Sequence, residues 1–361
     1  MSELYIGVMS GTSLDGLDIV LCNVTSNSCE LIFSAEYPFD AKLKEDILNA
    51  INGQTTLRVI GQIDARLGKL YANATTAFMT HNNIKKESVR AIGLHGQTLW
   101  HEPFGEYPFS MQLGNANILT AQTGVSVVSD FRQKDVALGG QGAPFAPAFH
   151  QEMFSKLARK VAVINIGGFS NITILGENLI GYDSGTGNVL MDLWIFKRKN
   201  KTYDKNGEWA SSGHVDANLL NKMLSDPYFQ KEPPKSTGRE YFNEKWLEKK
   251  LEGFGHLIDE DIQATLLEFT AETIVSEVKK SSADLAIICG GGVKNIALMQ
   301  KLRAYLRDIE VSPSNKYGVN SDFMEAMAFA WLAYKRIHKE SVNLKSVTGA
   351  RENSILGCIY E

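Results

Sequence analysis

The sequence contains the same local pattern twice, and the second copy begins about 150 residues after the first. In each copy an apolar run leads into a short segment rich in glycine, serine or asparagine, and a second apolar run follows. The first copy covers residues 4–22 and the second covers residues 161–175. Apolar runs joined in this way predict a β-hairpin. Because the pattern recurs, we predict two similar domains that each begin with a hairpin.

Strand and helix patterns are mixed along the chain, which predicts an α/β fold. A chain of 361 residues is long enough for two domains. We predict an N-terminal domain at residues 1–133, to which residues 344–361 return, and a second domain at residues 134–343. The glycine-rich segment at residues 139–144 is predicted to be a domain crossover or a substrate loop. A cleft between two such domains is the usual place for a ligand.

The bulk properties exclude several classes of function. The formal net charge is −4, which argues against a nucleic-acid-binding surface. The four cysteines show no C-x-x-C spacing, so neither a cysteine metal site nor a disulfide framework is expected. The first residues lack the charged and apolar regions of a signal peptide. No uncharged apolar run reaches the ~18 residues of a membrane-spanning helix, so we expect a cytoplasmic protein with no membrane partner.

The polar segments of the two hairpins have the composition of phosphate-binding turns. Backbone N–H groups in a tight turn can converge on an anion, and glycine lets the anion approach closely. We call residues 10–18 the first hairpin turn and residues 167–171 the second hairpin turn. The residues predicted to hold nucleotide phosphates are Gly11, Thr12, Ser13, Leu14, Asp15, Gly16, Leu17, Asp18, Gly167, Gly168 and Asn171. The alternative is a pair of ordinary turns, in which the same residue types are common.

Asp15 and Asp18 place carboxylates beside the first hairpin turn. A carboxylate near phosphates is unfavourable unless a cation lies between them. We therefore predict a Mg²⁺ ion that these two residues hold through water molecules. The alternative is that Asp15 caps the turn and Asp18 ends a strand.

Gly290, Gly291 and Gly292 follow a predicted buried strand at residues 286–289 and precede a helix. The chain has no G-x-x-x-x-G-K-[ST] motif and no G-x-G-x-x-G motif after its first strand, so neither a P-loop nor a Rossmann dinucleotide site is expected. Glycines without side chains suit a flat adenosine that packs against the backbone. The alternative is a tight turn between strand and helix.

Asp183 lies where a predicted strand gives way to the glycine-rich segment at residues 184–188. A side chain at the end of a strand can project into a cleft. An ionised carboxylate there can act as a general base that accepts a proton from a nucleophile. We predict this catalytic role for Asp183, and the alternative is that it caps the following turn or helix.

Four further residues are predicted to bind the substrate: His95, Gln97, Arg132 and Glu325. Arg132 can pair with an anionic substrate group, although a structural ion pair with Asp130 or Asp135 is the alternative. His95 ends a strand and can bind polar substrate atoms, or it can be merely structural. Glu325 begins a helix that is predicted to be buried, where a carboxylate needs a partner or a ligand. The segment at residues 235–239 is interpreted as a mobile polar loop near a ligand, with its role left open.

Residues 6–18 closely resemble the opening of the anhydro-N-acetylmuramic acid kinases. The resemblance covers nearly the whole chain, because further motifs follow in the same order at residues 93–98, 130–132, 139–144, 165–168, 170–171, 183–188, 235–239 and 289–292. It implies the two-domain, actin-like (ribonuclease H-like) sugar kinase fold with a central cleft. It also implies the use of ATP and Mg²⁺, and a homodimer.

The resemblance further implies an unusual reaction. Water opens the 1,6-anhydro ring of anhydro-N-acetylmuramic acid while ATP phosphorylates O6, and the product is N-acetylmuramic acid 6-phosphate, formed in peptidoglycan recycling. On this basis Asp183 deprotonates the water that attacks the anomeric carbon, and Arg132 binds the lactyl carboxylate. Glu325 and His95 then hold other groups of the sugar.

Two other classes of function are compatible with parts of the sequence. One is an ATP-switched scaffold or chaperone of the same fold, which would be supported by a separate substrate-binding domain or a filament-forming insertion. The other is a glycosidase that uses Asp183 and Glu325 as its two carboxyl groups. The glycosidase alternative leaves both hairpin turns unexplained.

Overall fold

The computed structural model describes residues 2–11, 14, 16–157, 159–233 and 235–361. In chain order, the strands are β1 (Glu3–Ser10), β2 (Gly16–Thr25), β3 (Ser28–Pro38), β4 (Val89–Leu94), β5 (Gln97–Glu102), β6 (Phe109–Leu113), β7 (Val127–Ser129), β8 (Val161–Ile166), β9 (Phe169–Ile174), β10 (Ile180–Thr186), β11 (Leu285–Cys289), β12 (Glu310–Pro313) and β13 (Cys358–Tyr360). The helices are α1 (Ala41–Ile51), α2 (Leu57–His81), α3 (Ala116–Thr123), α4 (Gln133–Ala137), α5 (Ala146–Phe154), α6 (Val189–Lys199), α7 (Ala217–Leu224), α8 (Glu244–Leu251), α9 (Asp259–Ser281), α10 (Ile296–Tyr305), α11 (Met324–Ile337) and α12 (Lys345–Thr348). The chain divides into unit 1, which comprises Met1–Met153 and Phe323–Glu361, and unit 2, which comprises Phe154–Asp322.

Unit 1 is built on a sheet with the strand order β13-β7-β4-β1-β2-β3. Strands β1, β2 and β3 are antiparallel to one another in turn, whereas β4 is parallel to β1 and β7 is parallel to β4. The apolar side chains of β1, such as Ile6 and Val8, pack with Leu67 and Tyr71 of α2 in one buried cluster. Helix α11 also packs against β1, β2 and β4. The central strands are therefore covered by helices, as their continuous apolar sequences require.

Two glycines allow α11 to lie directly on the central strands of unit 1. A Cβ atom at Gly7 would overlap the carbonyl oxygen of Ala326 and lie 2.9 Å from its carbonyl carbon. A Cβ atom at Gly93 would overlap the carbonyl oxygen of Phe329 and lie 2.7 Å from its carbonyl carbon. Only a residue without a side chain fits this close approach of helix and strand.

Unit 2 repeats the topology of unit 1. Its sheet has the order β10-β9-β8-β11-β12, with β8, β9 and β10 antiparallel in turn and with β11 and β12 parallel to β8. These strands correspond one by one to β3, β2, β1, β4 and β7, and helix α9 packs on the sheet. The predicted duplication is confirmed, and so is the predicted α/β fold class with a ribonuclease H-like arrangement in each unit.

The limits of the two units differ from the predicted domain borders. Residues 134–153 and 323–343 were assigned by the sequence to the second domain, but their contacts place them in unit 1. The reason is that α11 covers β1 and β4, which lie more than 200 residues earlier in the chain. In the part of the chain that the structure describes, no helix is both long and apolar enough to cross a membrane.

Candidate active site

The first hairpin turn joins β1 to β2. Three of the residues predicted to bind phosphate lie outside the described residues: Thr12, Ser13 and Asp15. The N–H of Leu14 donates to the carbonyl oxygen of Gly11 at 3.3 Å, and the Leu14 side chain is buried in the core of unit 1. Leu14 has a φ of +57°, an unfavourable conformation that its buried packing must hold. The described part of the turn is therefore fixed to the core.

Gly16, Leu17 and Asp18 begin strand β2. A Cβ atom at Gly16 would lie 3.0 Å from the carbonyl carbon of Tyr37 on β3, so a side chain does not fit there. Leu17 is buried in the core, which gives its side chain a structural role. Asp18 is half-buried and lies opposite Glu36 in the register of β2 and β3. Two carboxylates directly opposite each other in an antiparallel pair repel.

Gln97 joins the first hairpin turn to the segment that follows β4. Its Nε2 donates to the carbonyl oxygen of Gly11 at 3.3 Å. The hydroxyl of Ser10 donates to the carbonyl oxygen of Gly96 at 3.2 Å and makes a second contact between the same segments. Gln97 is buried, and its Oε1 has no hydrogen-bond partner among the described residues. Because buried polar atoms are normally paired, this oxygen is a candidate contact for a ligand.

Arg132 and His95 are in direct contact. The Nε and Nη2 atoms of Arg132 lie 3.2 Å and 2.8 Å from Nε2 of His95, and Nη1 donates to the carbonyl oxygen of Gly142 at 2.8 Å. Burial, with the charge of Arg132 added, lowers the pKa of His95 well below its usual range. The imidazole is therefore neutral, and its Nε2 accepts from Arg132. One N–H group on each terminal nitrogen of Arg132 remains for an anion.

Aromatic rings surround this pair. The guanidinium of Arg132 lies 5.2 Å from the centre of the Phe145 ring, and the ring of Phe329 packs against His95 at 4.7 Å between centroids. Burial lowers the pKa of Arg132 to about 10, and the charge of Glu325 opposes this effect. At neutral pH the guanidinium remains charged, so the cluster offers a fixed cation in weakly solvating surroundings.

Glu325 is in the first turn of α11, and the prediction that this helix is buried is confirmed. Its neighbours Met324 and Ala326 are buried, whereas Glu325 itself is exposed. The protein atoms crowded around its carboxylate nevertheless raise the pKa of Glu325, and the charge of Arg132 partly opposes this rise. Glu325 therefore needs no internal partner, and its carboxylate is available to a ligand.

The glycine-rich segment at residues 139–144 is held by Asp135 of α4. One carboxylate oxygen of Asp135 accepts the N–H of Gly142 at 2.7 Å, and the other accepts the Thr348 hydroxyl at 2.9 Å. Among the described residues, neither Asp135 nor Asp130 forms an ion pair with Arg132. The alternative of a structural ion pair for Arg132 is thus not supported, and Arg132 instead donates to this segment.

The second hairpin turn joins β8 to β9. The carbonyl oxygen of Gly167 accepts the N–H of Asn188 at 2.8 Å, and that of Gly168 accepts the N–H of Val189 at 3.0 Å. A Cβ atom at Gly168 would meet only the Cβ of Val189, at 4.0 Å. The turn is thus held by the start of α6, and the space beside Gly168 is open.

The three glycines that follow β11 have different surroundings. Gly290 has a φ of +77°, and a Cβ atom there would lie 2.8 Å from the carbonyl oxygen of Ile166. Gly292 is similarly crowded by the side chain of Ile166, whereas a Cβ atom at Gly291 would meet nothing within 4 Å. Gly290 and Gly292 thus make the tight turn possible, and Gly291 lies beside open space.

That open space is a cavity in unit 2 with a volume of about 480 Å³. Its lining includes Asn188, Met191, Tyr203, Gly291 and Asn295. A cavity of this size suits a small organic ligand, for which volumes of roughly 300–1,000 Å³ are typical. Asn188 lines the cavity and also donates to the second hairpin turn, so a ligand in the cavity would lie next to that turn.

Asp192, which was not among the residues predicted from the sequence, also lines this cavity. Burial and repulsion by Asp204 raise the pKa of Asp192 to about 7. Asp204 is a structural residue, because its carboxylate accepts the N–H groups of Trp209 and Ala210 at 2.9 Å. In the sequence, Asp192 is a single acidic residue in the apolar start of α6, one turn after the glycine-rich segment at residues 184–188, and this pattern alone does not indicate a cavity.

Asp183 lies at an irregularity in strand β10. The register with β9 shifts between Asp183 and Gly185, and the Asp183 position pairs with Asn171. Such a bulge turns a side chain away from the regular direction of the strand. The N–H of Thr237 donates to Oδ2 of Asp183 at 3.0 Å, and the hydroxyl of Tyr228 donates to its carbonyl oxygen at 2.7 Å.

Burial raises the pKa of Asp183 above its usual value. The hydrogen bond from the Thr237 N–H opposes this rise, and repulsion by Glu240 adds to it. A raised pKa brings a carboxylate closer to the strength that a general base needs near neutral pH. The fixed position and the electrostatics of Asp183 therefore favour proton transfer over the alternative of a simple cap.

The segment at residues 235–239 is held more firmly than the sequence suggests. Lys235 is buried and forms an ion pair with Glu277 at 3.1 Å. Farther along, the hydroxyl of Tyr241 donates to Asp226 at 2.7 Å. The interpretation of this segment as a mobile loop is therefore not supported.

No group of three or more histidine, cysteine, aspartate or glutamate side chains suitable for a metal occurs within residues 2–11, 14, 16–157, 159–233 and 235–361. Of the two predicted magnesium ligands, Asp18 is described and Asp15 is not. The magnesium site stays a prediction.

The chain matches a family of known proteins over almost its whole length. Residues 3–361 match the model of a family described as anhydro-N-acetylmuramic acid kinase. The chain is similar to the anhydro-N-acetylmuramic acid kinase of Sulfurimonas denitrificans, with 61% identity over 368 aligned residues and 100% of each chain covered. It is also similar to that of a Sulfurovum species, with 54% identity over 359 residues and 99% of each chain covered. Among solved structures, it is similar to component A of the (R)-2-hydroxyglutaryl-CoA dehydratase of Acidaminococcus fermentans, with 11% identity, a TM-score of 0.48, and 93% of this chain and 100% of that chain covered.

Proposed function

Since this chain belongs to the anhydro-N-acetylmuramic acid kinase family, we propose that it opens the anhydro ring of anhydro-N-acetylmuramic acid with water and phosphorylates O6 from ATP. Membership confirms the resemblance noted in the sequence and a kinase function. The product is N-acetylmuramic acid 6-phosphate, an intermediate of peptidoglycan recycling.

The observation that carries the proposal is the fixed carboxylate of Asp183. Water attacks the anomeric carbon and gives its proton to Asp183, while the bond between the anomeric carbon and O6 breaks. O6 then takes the terminal phosphoryl group of ATP, so the leaving oxygen of one bond becomes the acceptor of the next. General-base assistance of this kind contributes typically about 10²–10⁴-fold to a rate.

The nucleotide is assigned to the second hairpin turn and the adjoining cavity. Gly291 and Asn188 would contact the nucleoside, and the N–H group of Gly168 would face the phosphates, since that of Gly167 donates to the carbonyl oxygen of Phe169 at 3.1 Å. The contact between Asn188 and Gly167 supports this direction of binding. The first hairpin turn would hold the transferred phosphoryl group, where fixed N–H groups stabilise charge as it develops.

Asp18 and Asp15 are proposed to hold Mg²⁺. The position of Asp18 opposite Glu36 fits a divalent cation, because carboxylate oxygens are the ligands that Mg²⁺ prefers. When bound, the ion offsets the negative charge of the phosphates. The homodimer implied by the resemblance and the cytoplasmic location expected from the sequence stay predictions.

The sugar is assigned to the cluster around Arg132 in unit 1. The two remaining N–H groups of Arg132 match the two oxygens of the lactyl carboxylate. His95 fixes the guanidinium, Gln97 offers its unpaired Oε1, and Glu325 can accept from sugar hydroxyls.

The reaction is tested by supplying anhydro-N-acetylmuramic acid, ATP and Mg²⁺ in ¹⁸O-labelled water. We expect one ADP for each sugar opened and the label at the anomeric carbon of the product. Label in phosphate would contradict coupled attack by water on the sugar. Ring opening without ATP would favour a glycosidase, and ADP release without sugar conversion would favour an ATP-switched scaffold.

Replacement of Arg132 by lysine should raise the KM for the sugar by about 30-fold and leave the KM for ATP unchanged, because lysine cannot make the bidentate contact. Kinetics with 1,6-anhydro-N-acetylglucosamine, which lacks the lactyl group, provide the control. The wild type should bind this analogue weakly, and the Arg132→Lys variant should bind it almost as well as the wild type does. An equal loss for both sugars would show that Arg132 does not meet the carboxylate.

A further inference from the structure

Lys235 and Glu277 form a buried ion pair in unit 2 that the proposed reaction does not use directly. Their side chains are 2% and 5% exposed, and Nζ of Lys235 lies 3.1 Å from Oε1 of Glu277. Glu277 also accepts the hydroxyl of Tyr182 at 2.8 Å. Burial alone would raise the pKa of Glu277, but the hydrogen bonds from Tyr182 and Lys235 outweigh it, so the pKa is lowered. Glu277 is therefore a charged group that holds two segments together.

Both of those segments lead directly to Asp183. Tyr182 precedes Asp183 on β10, and the N–H of Asp183 donates to the carbonyl oxygen of Lys235 at 3.1 Å. The ammonium group of Lys235 also lies 5.4 Å from the centre of the Tyr228 ring, whose hydroxyl donates to Asp183. The ion pair thus fixes the backbone on both sides of the carboxylate.

The carboxylate itself receives the N–H of Thr237, two residues after Lys235. The charged and titratable groups that face Asp183 are Glu240 of the same segment and Tyr228 of the turn at Pro227–Gln230. Neither of these groups stabilises the ionised form by its charge. The Thr237 N–H does stabilise it, so its position decides how readily Asp183 ionises.

We infer that Lys235 and Glu277 are positioning residues for Asp183, which act by holding the Thr237 N–H against its carboxylate. The inference rests on the proposed function, because it gives Asp183 the role of the base. Neither residue is placed in contact with the sugar or the nucleotide.

The test is the double variant Lys235→Met with Glu277→Gln. Removing one partner alone would leave a buried charge and endanger folding, whereas replacing both with uncharged residues of similar size is often tolerated. In the double variant Thr237 is held less firmly, so Asp183 ionises less readily. We expect kcat/KM for the sugar to fall about tenfold on the acid limb of the pH profile and much less on its plateau, with the KM for ATP unchanged.

Lys280→Met is the matched control. Lys280 contacts the same oxygen of Glu277 at 3.2 Å, but its side chain is 58% exposed and reaches no part of the Asp183 segments in the described chain. Its pH profile should equal that of the wild type. Tyr182→Phe keeps the ion pair and removes one hydrogen bond to Glu277. It should therefore shift the acid limb of the pH profile in the same direction as the double variant does, but by a smaller amount.

A wild-type pH profile in both the double variant and Tyr182→Phe would overturn the inference. A uniform loss at every pH would also overturn it, because it would indicate a purely structural role. Different results would contradict the proposed function. They are the absence of sugar-dependent ADP formation by the wild type, or an active Asp183→Asn variant. Either result would contradict the reaction assigned to Asp183, independently of the results for the ion pair.

Discussion

Replacement of Asp183 by asparagine should lower kcat by about 10³-fold and leave the affinity for ATP unchanged. Asparagine has the same shape and keeps an oxygen that can accept the Thr237 N–H, but it cannot take a proton from water. Steady-state kinetics give kcat, and calorimetric titration with ATP gives the affinity. Activity within tenfold of the wild type would remove Asp183 as the base.

Glu240→Gln is the matched control, because it makes the same chemical change on a carboxylate that faces Asp183. Glu240 raises the pKa of Asp183 by repulsion. Without that repulsion the base stays ionised at lower pH, so the acid limb of kcat/KM should move to lower pH while activity at neutral pH is kept. A large loss of activity in both variants would mean that any charge change in this segment is harmful, and the assignment to Asp183 would lose its support.

Replacement of Gly93 by alanine should greatly lower the free energy of unfolding. The added Cβ would overlap the carbonyl oxygen of Phe329 and lie 2.7 Å from its carbonyl carbon. Both atoms belong to helix backbone, so α11 must move away from β4 as a body. Overpacking of this kind typically costs about 3 kcal/mol of unfolding free energy at its upper range. The measurement is the midpoint of urea unfolding.

Gly61→Ala provides the comparison for Gly93. Gly61 is an exposed position inside α2, where a Cβ atom would meet nothing within 4 Å. Because alanine favours a helix over glycine, this variant should be more stable by about 0.5–1 kcal/mol. Equal midpoints for Gly93→Ala and the wild type would contradict the close packing of α11 on the sheet.

The sequence predicted the local parts of the fold well. The hairpins at β1–β2 and β8–β9 were predicted correctly, because two apolar runs around a glycine-rich segment leave few other local structures. Helix α11 was assigned to the wrong domain, because its place depends on contacts with distant residues rather than on a local pattern. Its apolar residues show that it is buried, but nothing in residues 324–337 indicates which sheet it covers. The residues that fix its place are Gly7 and Gly93, which leave room for the helix backbone. Their role can be recognised only in the structure, where helix and strand are in contact.

In the candidate site, too, residues with a local sequence pattern were predicted, whereas contacts between distant segments were not. Asp183 was found because a strand end followed by glycines is a local signal, whereas the Thr237 N–H that modifies it comes from a distant segment. Lys235 was taken for part of a polar mobile loop, since a lysine is seldom buried unless it is paired. Its partner Glu277 is on α9, 42 residues away. Asp192 was missed because an acidic residue in one helix gives no indication that a cavity adjoins it.

The way unit 2 interrupts unit 1 has a consequence for the order of folding. Unit 2 is one continuous segment, Phe154–Asp322, whereas unit 1 needs Phe323–Glu361 to cover strands formed near the start of the chain. Contacts between distant residues form slowly, because a long loop must close first. During synthesis all strands of unit 2 leave the ribosome before α11 does. We therefore expect unit 2 to reach its native structure first, while the face of β1 and β4 that α11 covers remains exposed until α11 has been made.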